Sequence, residues 1–478
     1  MNNPVDTTAP YRCNQETDLI PFFHSCVDKS KKLGNNVFSS ITFETNYCDP
    51  LAILEQFYFR NSLFSFYEKP SEEFSVACGT PITVAKFYDA ERFAKAKKWS
   101  NELFKKTFIA GNHLTECTGP TLFLNATFEE KSPDVKIPSL QIFLPEWQIL
   151  RKEGSHFITI NSRISSQSKP EFLATKVKKL YRKFINLSFQ KPIDFKPFKI
   201  NLSRPREIND YEKTVEKALS HINKGNISKI VVARELSFLA DKNLPAFSIA
   251  HSLRNKFPDC HTFCLATPGN EIFIGSTPEI LTRVSGTSLE TEAVAGTAPR
   301  GPSAGKDAHL GKTLLGEEKE ILEHKLVIDS ILRRLKYAGI SEYKEGQTRL
   351  LRLANLQHVR TPLRAKIPHN IHPFEVISSL HPTPAMGGSP REQALPLIEK
   401  LEGFSRGWYS GVAGWFDSRG RGDFIVPIRC GKISSKSLTL YSGAGIVEGS
   451  IPKSEKDETN WKLQAMLEVI TGSNNFPF

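Results

Sequence analysis

The pattern of hydrophobic and polar positions is clearest in the second half of the chain. Stretches with apolar residues at three- and four-residue spacing, typical of helices, alternate there with short apolar runs typical of β-strands. The predicted helices cover residues 211–222, 248–256, 316–336, 391–401 and 455–471. The predicted strands cover residues 229–234, 273–281, 291–297, 423–430 and 438–447. Strands and helices mixed in this way predict a large α/β sheet assembly.

The first half of the chain has a weaker pattern. Aromatic and apolar runs at 63–67 and 140–144 favour strands, and the serine-rich residues 161–170 favour a loop. The prolines within 189–205 indicate a boundary between the two halves. Residues 1–32 are predicted to be loosely ordered or peripheral.

Two pairs of glutamates share a three-residue spacing within predicted helices. Glu455 and Glu458 form one pair, and Glu320 and Glu323 form the other. A single pair of this kind is usually a solvated helix face. If both pairs face one cavity, the like charges raise each other's pKa, and a bound divalent ion removes that cost. Ligands that are all oxygen atoms suit magnesium.

Composition and charge narrow the class of protein. The chain has 478 residues, 39% of them hydrophobic, and a net charge of +12, which we interpret as a basic surface and not as a nucleic-acid footprint. The eight cysteines are scattered without a CxxC motif, and no apolar run approaches the length of a membrane span. These features predict a protein of a reducing cytoplasm without nucleic-acid or membrane partners.

Several single residues are candidates for chemistry, and each has an ordinary structural alternative. Lys229 at the head of an apolar strand could act as a base, or its ammonium could extend to water at the strand end. Glu279 after Pro278 could act as a general acid, or begin a helix. Arg429 within the predicted strand 423–430 could bind a carboxylate, or pair with an acidic neighbour. His381, in a proline-flanked loop, could contact substrate or satisfy a turn.

Seven segments of the second half occur in a recognisable order and spacing. They are residues 229–234 (KIVVAR), 273–281 (FIGSTPEIL), 291–297 (TEAVAGT), 320–324 (EILEH), 381–388 (HPTPAMGG), 407–414 (GWYSGVAG) and 441–459. Together they resemble the chorismate-utilising enzymes, which include isochorismate synthase, salicylate synthase and the large subunits of anthranilate and aminodeoxychorismate synthases. One such segment is weak evidence, whereas seven in order are strong evidence.

The resemblance implies a fold and a domain organisation. The expected fold is α/β (α+β), with two packed β-sheets and helices outside. Residues 41–475 are expected to form a single chorismate-binding catalytic domain, less typical over 41–205 and motif-bearing over 206–475. Residues 1–40 are left as an N-terminal extension of unclear role.

The resemblance also implies roles for individual residues. Lys229 matches the base that activates water, and Glu279 matches the acid that protonates the departing hydroxyl. The implied cofactor is Mg²⁺, and the matching ligands are Glu323 and Glu458, supported by Glu320 and Glu455. The residues matched to substrate-binding positions are Ala295, Gly296, Thr297, His381, Ala385, Arg429, Tyr441, Gly443, Gly445 and Lys462.

Two positions indicate which member of the family the chain resembles. Aminating relatives typically have glutamine in the place of Lys229, because ammonia needs no base, and threonine or serine in the place of Ala385. A water-adding member is therefore favoured, and isochorismate synthase is the first choice. It converts chorismate to isochorismate by attack of water at C2 and loss of the C4 hydroxyl. Salicylate synthase, which also eliminates pyruvate, is the alternative, followed by a non-catalytic basic binding protein on the same fold.

The same resemblance sets expectations about partners. Chorismate is the expected small-molecule substrate, and no glutaminase subunit is expected. The protein is expected to be a cytoplasmic monomer that serves menaquinone or siderophore biosynthesis.

Overall fold

The helices and strands are those of a computed structural model, which describes residues 18–58, 62–131, 137–188, 198–267, 269 and 271–473. The helices within these residues are α1 (Ile20–Leu33), α2 (Pro50–Phe57), α3 (Arg92–Lys105), α4 (Pro170–Ser188), α5 (Tyr211–Asn223), α6 (Ala246–Lys256), α7 (Ala304–Gly316), α8 (Glu318–Tyr337), α9 (Pro373–Leu380), α10 (Arg391–Glu402) and α11 (Pro452–Thr471). The strands are β1 (Val37–Thr45), β2 (Phe64–Lys69), β3 (Phe74–Phe87), β4 (Thr107–Gly111), β5 (Thr121–Ala126), β6 (Leu140–Lys152), β7 (Ser155–Ile164), β8 (Arg206–Glu207), β9 (Lys229–Leu239), β10 (His261–Ala266), β11 (Ile272–Thr277), β12 (Ile280–Ser285), β13 (Ser288–Pro299), β14 (Tyr343–Glu345), β15 (Arg349–Arg352), β16 (Leu356–Lys366), β17 (Gly388–Ser389), β18 (Val412–Asp417), β19 (Gly422–Ile425), β20 (Cys430–Ser434) and β21 (Ser437–Val447).

The strand pairings define two sheets. The first sheet has the order β4-β1-β7-β6-β3-β2-β10-β11-β20-β21-β9, with β8 and β17 on the outer edge of β9. The second sheet has the order β3-β6-β5-β18-β19-β12-β13-β16, with β14 and β15 on β16. The long strands β3 and β6 belong to both sheets, and their pairing shifts register between Pro81 and Thr83. A register shift of this kind bends a strand pair, so one hairpin joins the two sheets.

An aromatic cluster fills the space between the sheets. It takes Tyr67, Phe263 and Phe273 from the first sheet and Phe123 and Trp415 from the second. The opposite face of the first sheet packs on α1, α2, α4, α6 and α11, and that of the second on α3, α8 and α9. Alternate residues of each strand therefore face an aromatic interior and a helical layer. The expected α/β fold of two packed sheets with outer helices is confirmed.

The two halves of the chain share both sheets. Strand β2 pairs with β10, and β5 pairs with β18, so in each sheet a strand from residues 41–205 pairs directly with a strand from residues 206–475. The weaker sequence pattern of the first half therefore does not mark a separate body.

The N-terminal segment departs from the expectation for residues 1–40. Residues 1–17 lie outside the described part of the chain, but α1 and β1 belong to the core. Phe22, Phe23 and Val27 of α1 are buried against α4 and the first sheet. The prediction of a loose or peripheral segment is therefore wrong for residues 20–33. The helical spacing of these apolar residues indicates a buried helix, but the polar residues around them made this pattern hard to recognise.

Two helix boundaries also differ from the predicted ones. The helix predicted over 316–336 is α8, which is preceded by a separate helix, α7. Helix α11 begins at Pro452, with Ile451 at the N-cap, earlier than the predicted start at 455. Proline suits the first turn of a helix because its missing N–H has no partner there in any case. Within the described residues, no helix is both long and apolar enough to cross a membrane.

Replacing Phe23 by alanine should lower the free energy of unfolding by about 3–5 kcal/mol, the usual cost of emptying a buried aromatic site. The ring of Phe23 is fully buried in the core. Denaturant unfolding checks this value, with Lys29→Ala on the exposed face of α1 as the matched control. A loss as small as that of the control would contradict the place of α1 in the core.

Candidate active site

Glu279 lies at the first of two neighbouring places where the chain crosses between the sheets. The strand predicted over 273–281 is in fact two strands, because β11 belongs to the first sheet and β12 to the second. Pro278, between them, cannot donate a ladder hydrogen bond, which favours a break in strand pairing. The crossing places Glu279 at the gap between the sheets, where the residue is 5% exposed.

Arg429 lies at the second crossing, which returns from β19 in the second sheet to β20 in the first. The predicted continuous strand over 423–430, with Arg429 inside it, is wrong. Pro427 interrupts the pairing, and Arg429 has φ +50, in the left-handed region that turns the chain sharply. The two crossings are joined by hydrogen bonds, since Ser276 N donates to Arg429 O at 3.1 Å and Val426 N donates to Glu279 O at 3.1 Å.

A pocket opens beside these crossings and contains about 830 Å³ of space outside the atoms, part of it open to solvent. Most of the predicted site residues line it. They are Glu279, Ala295, Gly296, Thr297, Glu320, Glu323, Ala385, Arg429, Tyr441, Gly443, Gly445, Glu455, Glu458 and Lys462. Sequence segments far apart in the chain therefore meet around one space.

Lys229 lies beneath the wall of the pocket and reaches it through an ion pair. Its Nζ donates to Glu323 Oε1 at 2.7 Å, and the side chains are 1% and 11% exposed. Lys229 begins β9, and Glu323 lies on α8, so the pair joins the first sheet to a helix that packs on the second. The alternative of a strand-end ammonium extending to water is excluded by this burial.

Two glycines leave room for two of the carboxylates. A Cβ on Gly445 would lie 2.7 Å from Glu323 Oε1 and 3.1 Å from Lys229 Cε. A Cβ on Gly296 would lie 2.5 Å from Glu320 Oε2, and Gly296 has φ +76 at a bulge in β13. These positions require glycine because a side chain would occupy the place of a carboxylate oxygen.

The second acidic pair has a lysine of its own. Lys462 Nζ donates to Glu458 Oε1 at 2.6 Å and to the Gly443 carbonyl at 2.9 Å. Glu455, on the same helix, is 3% exposed and lines the pocket. A lysine ammonium therefore balances one carboxylate in each pair.

The four glutamates fit a divalent cation by the chemistry of their donors, because hard cations such as Mg²⁺ take carboxylate oxygens. The spaces left by Gly296 and Gly445 keep two of these carboxylates at the pocket wall. In the described ranges, no three ligating His, Cys, Asp or Glu side chains are already gathered around one point. The ion pairs with Lys229 and Lys462 hold one oxygen of each pair.

The electrostatic surroundings of Glu279 favour its protonated form. Burial raises the pKa of its carboxyl to about 8, and repulsion from Glu292 adds to the increase. The positive charges of Lys229, Lys462 and Arg429 act in the opposite direction. A carboxyl group with a pKa near 8 carries its proton at neutral pH and can donate it.

A histidine that the sequence did not single out orients Arg429. The Arg429 guanidinium donates to His358 Nε2 at 3.0 Å, and His358 Nδ1 lies 3.0 Å from the Gly296 carbonyl and 3.2 Å from Thr297 Oγ1. Burial and the charge of Arg429 lower the pKa of His358 to about 3. The ring is therefore neutral, with Nδ1 as the donor and Nε2 as the acceptor.

Two aromatic rings form another wall of the pocket. Tyr409 stacks on Tyr441 with ring centroids 5.1 Å apart, and its hydroxyl would lie 3.2 Å from a Cβ on Gly443. The segment 407–414 contributed to the resemblance, but Tyr409 itself was missed. His358 has no motif around it in the sequence, so no local signal identifies it.

His381 does not line the pocket, in contrast to the predicted contact with substrate. It is 2% exposed, and its Nε2 lies 3.1 Å from the Ser410 carbonyl. Its ring packs edge-on against Phe128. The histidine therefore fixes the loop that carries Ala385.

The comparison with known protein families gives a match over most of the chain. The model of the chorismate binding enzyme family matches residues 22–471. Among curated proteins, the isochorismate synthase MenF of Bacillus subtilis is 29% identical over 461 residues, covering 93% of this chain and 96% of that protein. The salicylate biosynthesis isochorismate synthase of Pseudomonas aeruginosa is 37% identical over 268 residues, covering 56% of each.

Solved structures agree with the fold. MenF, the menaquinone-specific isochorismate synthase of Escherichia coli, has a TM-score of 0.75 at 23% identity, covering 94% of this chain and 99% of that one. Anthranilate synthase component I of Streptococcus pneumoniae has a TM-score of 0.65 at 20% identity, covering 82% and 92%. With the family model spanning nearly all of the described residues, the chain belongs to the chorismate binding enzyme family.

Proposed function

We propose that this protein is an isochorismate synthase that converts chorismate to isochorismate with bound Mg²⁺. The observation that carries the proposal is a buried lysine and a protonated glutamic acid at one pocket, which are a base and an acid for adding and removing a hydroxyl. The likeness to the isochorismate synthase of Bacillus subtilis along nearly the whole chain supports the same activity.

The proposed reaction adds the oxygen of a water molecule at one ring carbon and removes the hydroxyl from another. Lys229 acts as an amine once its ion pair with Glu323 is broken and its ammonium proton has passed to solvent, and it then takes a proton from the water molecule whose oxygen bonds to C2 of the ring. The ring double bond shifts as the bond from C4 to its hydroxyl breaks, and Glu279 gives the departing oxygen its proton. One water enters and one leaves, and both groups regain their starting protonation by exchange with solvent. Acid–base help of this kind contributes about 10²–10⁴-fold each.

The positions of the two groups support this division of labour. Lys229 lies on β9 and Glu279 follows β11, and β20 and β21 lie between these strands in the first sheet. Strands are about 4.8 Å apart, so the two backbones are separated by on the order of 14 Å, a span that supports a ring-sized substrate within reach of both side chains.

Positive groups at the pocket would hold the carboxylates of the substrate. Arg429, kept in place by His358, presents a guanidinium that can bind a carboxylate with two hydrogen bonds. Lys462 and the hydroxyls of Tyr409 and Thr297 also face or line this space. Ala385 leaves room for water as the nucleophile.

Glu320, Glu323, Glu455 and Glu458 would hold Mg²⁺, which supplies Lewis-acid stabilisation of negative charge when bound. The ion pairs of Glu323 and Glu458 with lysines balance the charges of these two carboxylates in its absence. The proposal also includes a single chain that acts as a monomer in the cytoplasm without a glutaminase subunit. Water as nucleophile requires no ammonia source, and the seven cysteines in the described residues are free thiols.

Product analysis tests this function directly. Purified protein with chorismate and Mg²⁺ should form isochorismate and no pyruvate, as measured by chromatography. EDTA should stop the reaction, and added Mg²⁺ should restore it. Formation of salicylate and pyruvate would establish the salicylate synthase alternative, and absence of any chorismate consumption would refute the proposal.

The pH dependence of kcat/KM tests the role of Glu279. Its pKa of about 8 means that the proton is present below pH 8 and is lost above it, so activity should fall about tenfold per pH unit on the alkaline side. Glu292→Gln removes a repulsive charge, lowers the pKa of Glu279, and should move this decline to lower pH.

Glu279→Gln should lose about 10²–10⁴-fold in kcat, because an amide has no proton to give. A kcat near that of the wild type in Glu279→Gln would contradict the role.

A further inference from the structure

A buried ion pair of Glu402 and Arg406 lies behind the wall of the pocket. Both side chains are 1% exposed. The Arg406 guanidinium donates from Nε to Glu402 Oε2 at 2.9 Å and from Nη2 to Glu402 Oε1. The ring of Phe128 covers its face at 4.2 Å. The pair does not line the pocket, and the proposed reaction assigns it no part.

Every donor of this guanidinium has a partner. Beyond Glu402, Nη1 donates to the Met386 carbonyl at 2.8 Å and to Ser410 Oγ at 3.2 Å, and Nη2 donates to the Val231 carbonyl at 2.9 Å. A guanidinium has five N–H donors in a fixed plane, and all five are used here. One side chain therefore fixes three separate backbone segments relative to one another.

Each of these segments carries groups of the pocket. Val231 lies two residues after Lys229 on β9, and side chains at this spacing leave the same face of a strand. Met386 adjoins Ala385 and lines the pocket itself. Glu402 Oε1 also accepts from Ala233 N at 2.7 Å, which adds a second hold on β9.

The third segment extends the connection to the carboxylate-binding groups. Ser410 follows Tyr409 and has φ +53, an unfavourable conformation that its neighbours must maintain. Its N–H donates to the Pro427 carbonyl at 2.8 Å, next to the crossing that carries Arg429. Its carbonyl accepts from His381, so this histidine belongs to the same network.

We propose that Arg406, held by Glu402, is a positioning residue that sets the places of Lys229, Tyr409 and Arg429 around the pocket. The expected change in kcat rests on the proposed function. The positions of these three groups can also be measured without turnover.

The test is the Arg406→Ala variant, followed by addition of guanidinium. We expect kcat to fall about 10–100-fold, the effect of a displacement of about 1 Å. Guanidinium at tens of millimolar should fill the vacated site and restore part of kcat. Because guanidinium is a denaturant, it would worsen a defect that was only one of stability. Arg406→Lys should behave like the alanine variant, since an ammonium cannot span the same partners.

The matched control is Arg254→Ala. Arg254 is also buried between two acids, Asp49 and Glu68, but does not line the pocket. This variant should lose thermal stability while its kcat stays near that of the wild type. Guanidinium should not raise the kcat of this variant. If Arg406→Ala does not fold, Glu402→Gln provides the comparison, with a smaller loss of kcat expected.

A second readout separates this inference from the proposed function. Acetic anhydride labels accessible lysines, and mass spectrometry then reports how much of Lys229 is labelled. This labelling should rise several-fold in Arg406→Ala and fall back to the wild-type level when guanidinium is added. In Arg254→Ala it should stay at the wild-type level. Wild-type protein without activity on chorismate would refute the proposed function and leave this readout valid. Unchanged labelling of Lys229, or a kcat loss no larger than that of Arg254→Ala, would overturn the positioning role.

Discussion

The ion pair between Lys229 and Glu323 is the interaction on which the rest of the site depends. A buried ammonium or carboxylate alone costs several kcal/mol of desolvation, so each requires the other. The pair spans from β9 of the first sheet to α8, which packs on the second, and it fits because Gly445 has no side chain. Burying two charges at one point therefore constrains both layers of the fold.

The crossings of the chain between the sheets explain where the remaining groups lie. Pro278 and Pro427 end strand pairing at neighbouring positions, and the residues that follow them turn into the gap between the sheets. Glu279 thereby loses contact with water and retains its proton, while Arg429 is held by the neutral ring of His358. In water, Glu279 would lose its proton and its charge would balance that of Arg429. Their surroundings instead keep Glu279 as a proton donor and Arg429 as a cation.

Sequence patterns predicted the sheet-and-helix fold and the two acidic pairs, because each of these leaves a local signal. They missed whatever depends on distant partners. Arg429 follows an apolar run that resembles one strand; Pro427 was the local sign of a break, and the pairing of β19 and β20 with different sheets shows it. His358 has no motif around it, and the position of His381 depends on Ser410, 29 residues away. Periodicity reports which face is buried and not what lies against it.

Lys229→Ala, with turnover and substrate binding measured on the same preparation, tests the central claim most directly. The account predicts that turnover falls by about 10²–10⁴-fold, because the substitution removes the amine that takes the proton from water. Calorimetric titration should still show chorismate binding in the presence of Mg²⁺, since Arg429 and Lys462 are held by His358 and the Gly443 carbonyl and not by Lys229. Turnover near that of the wild type would contradict the account.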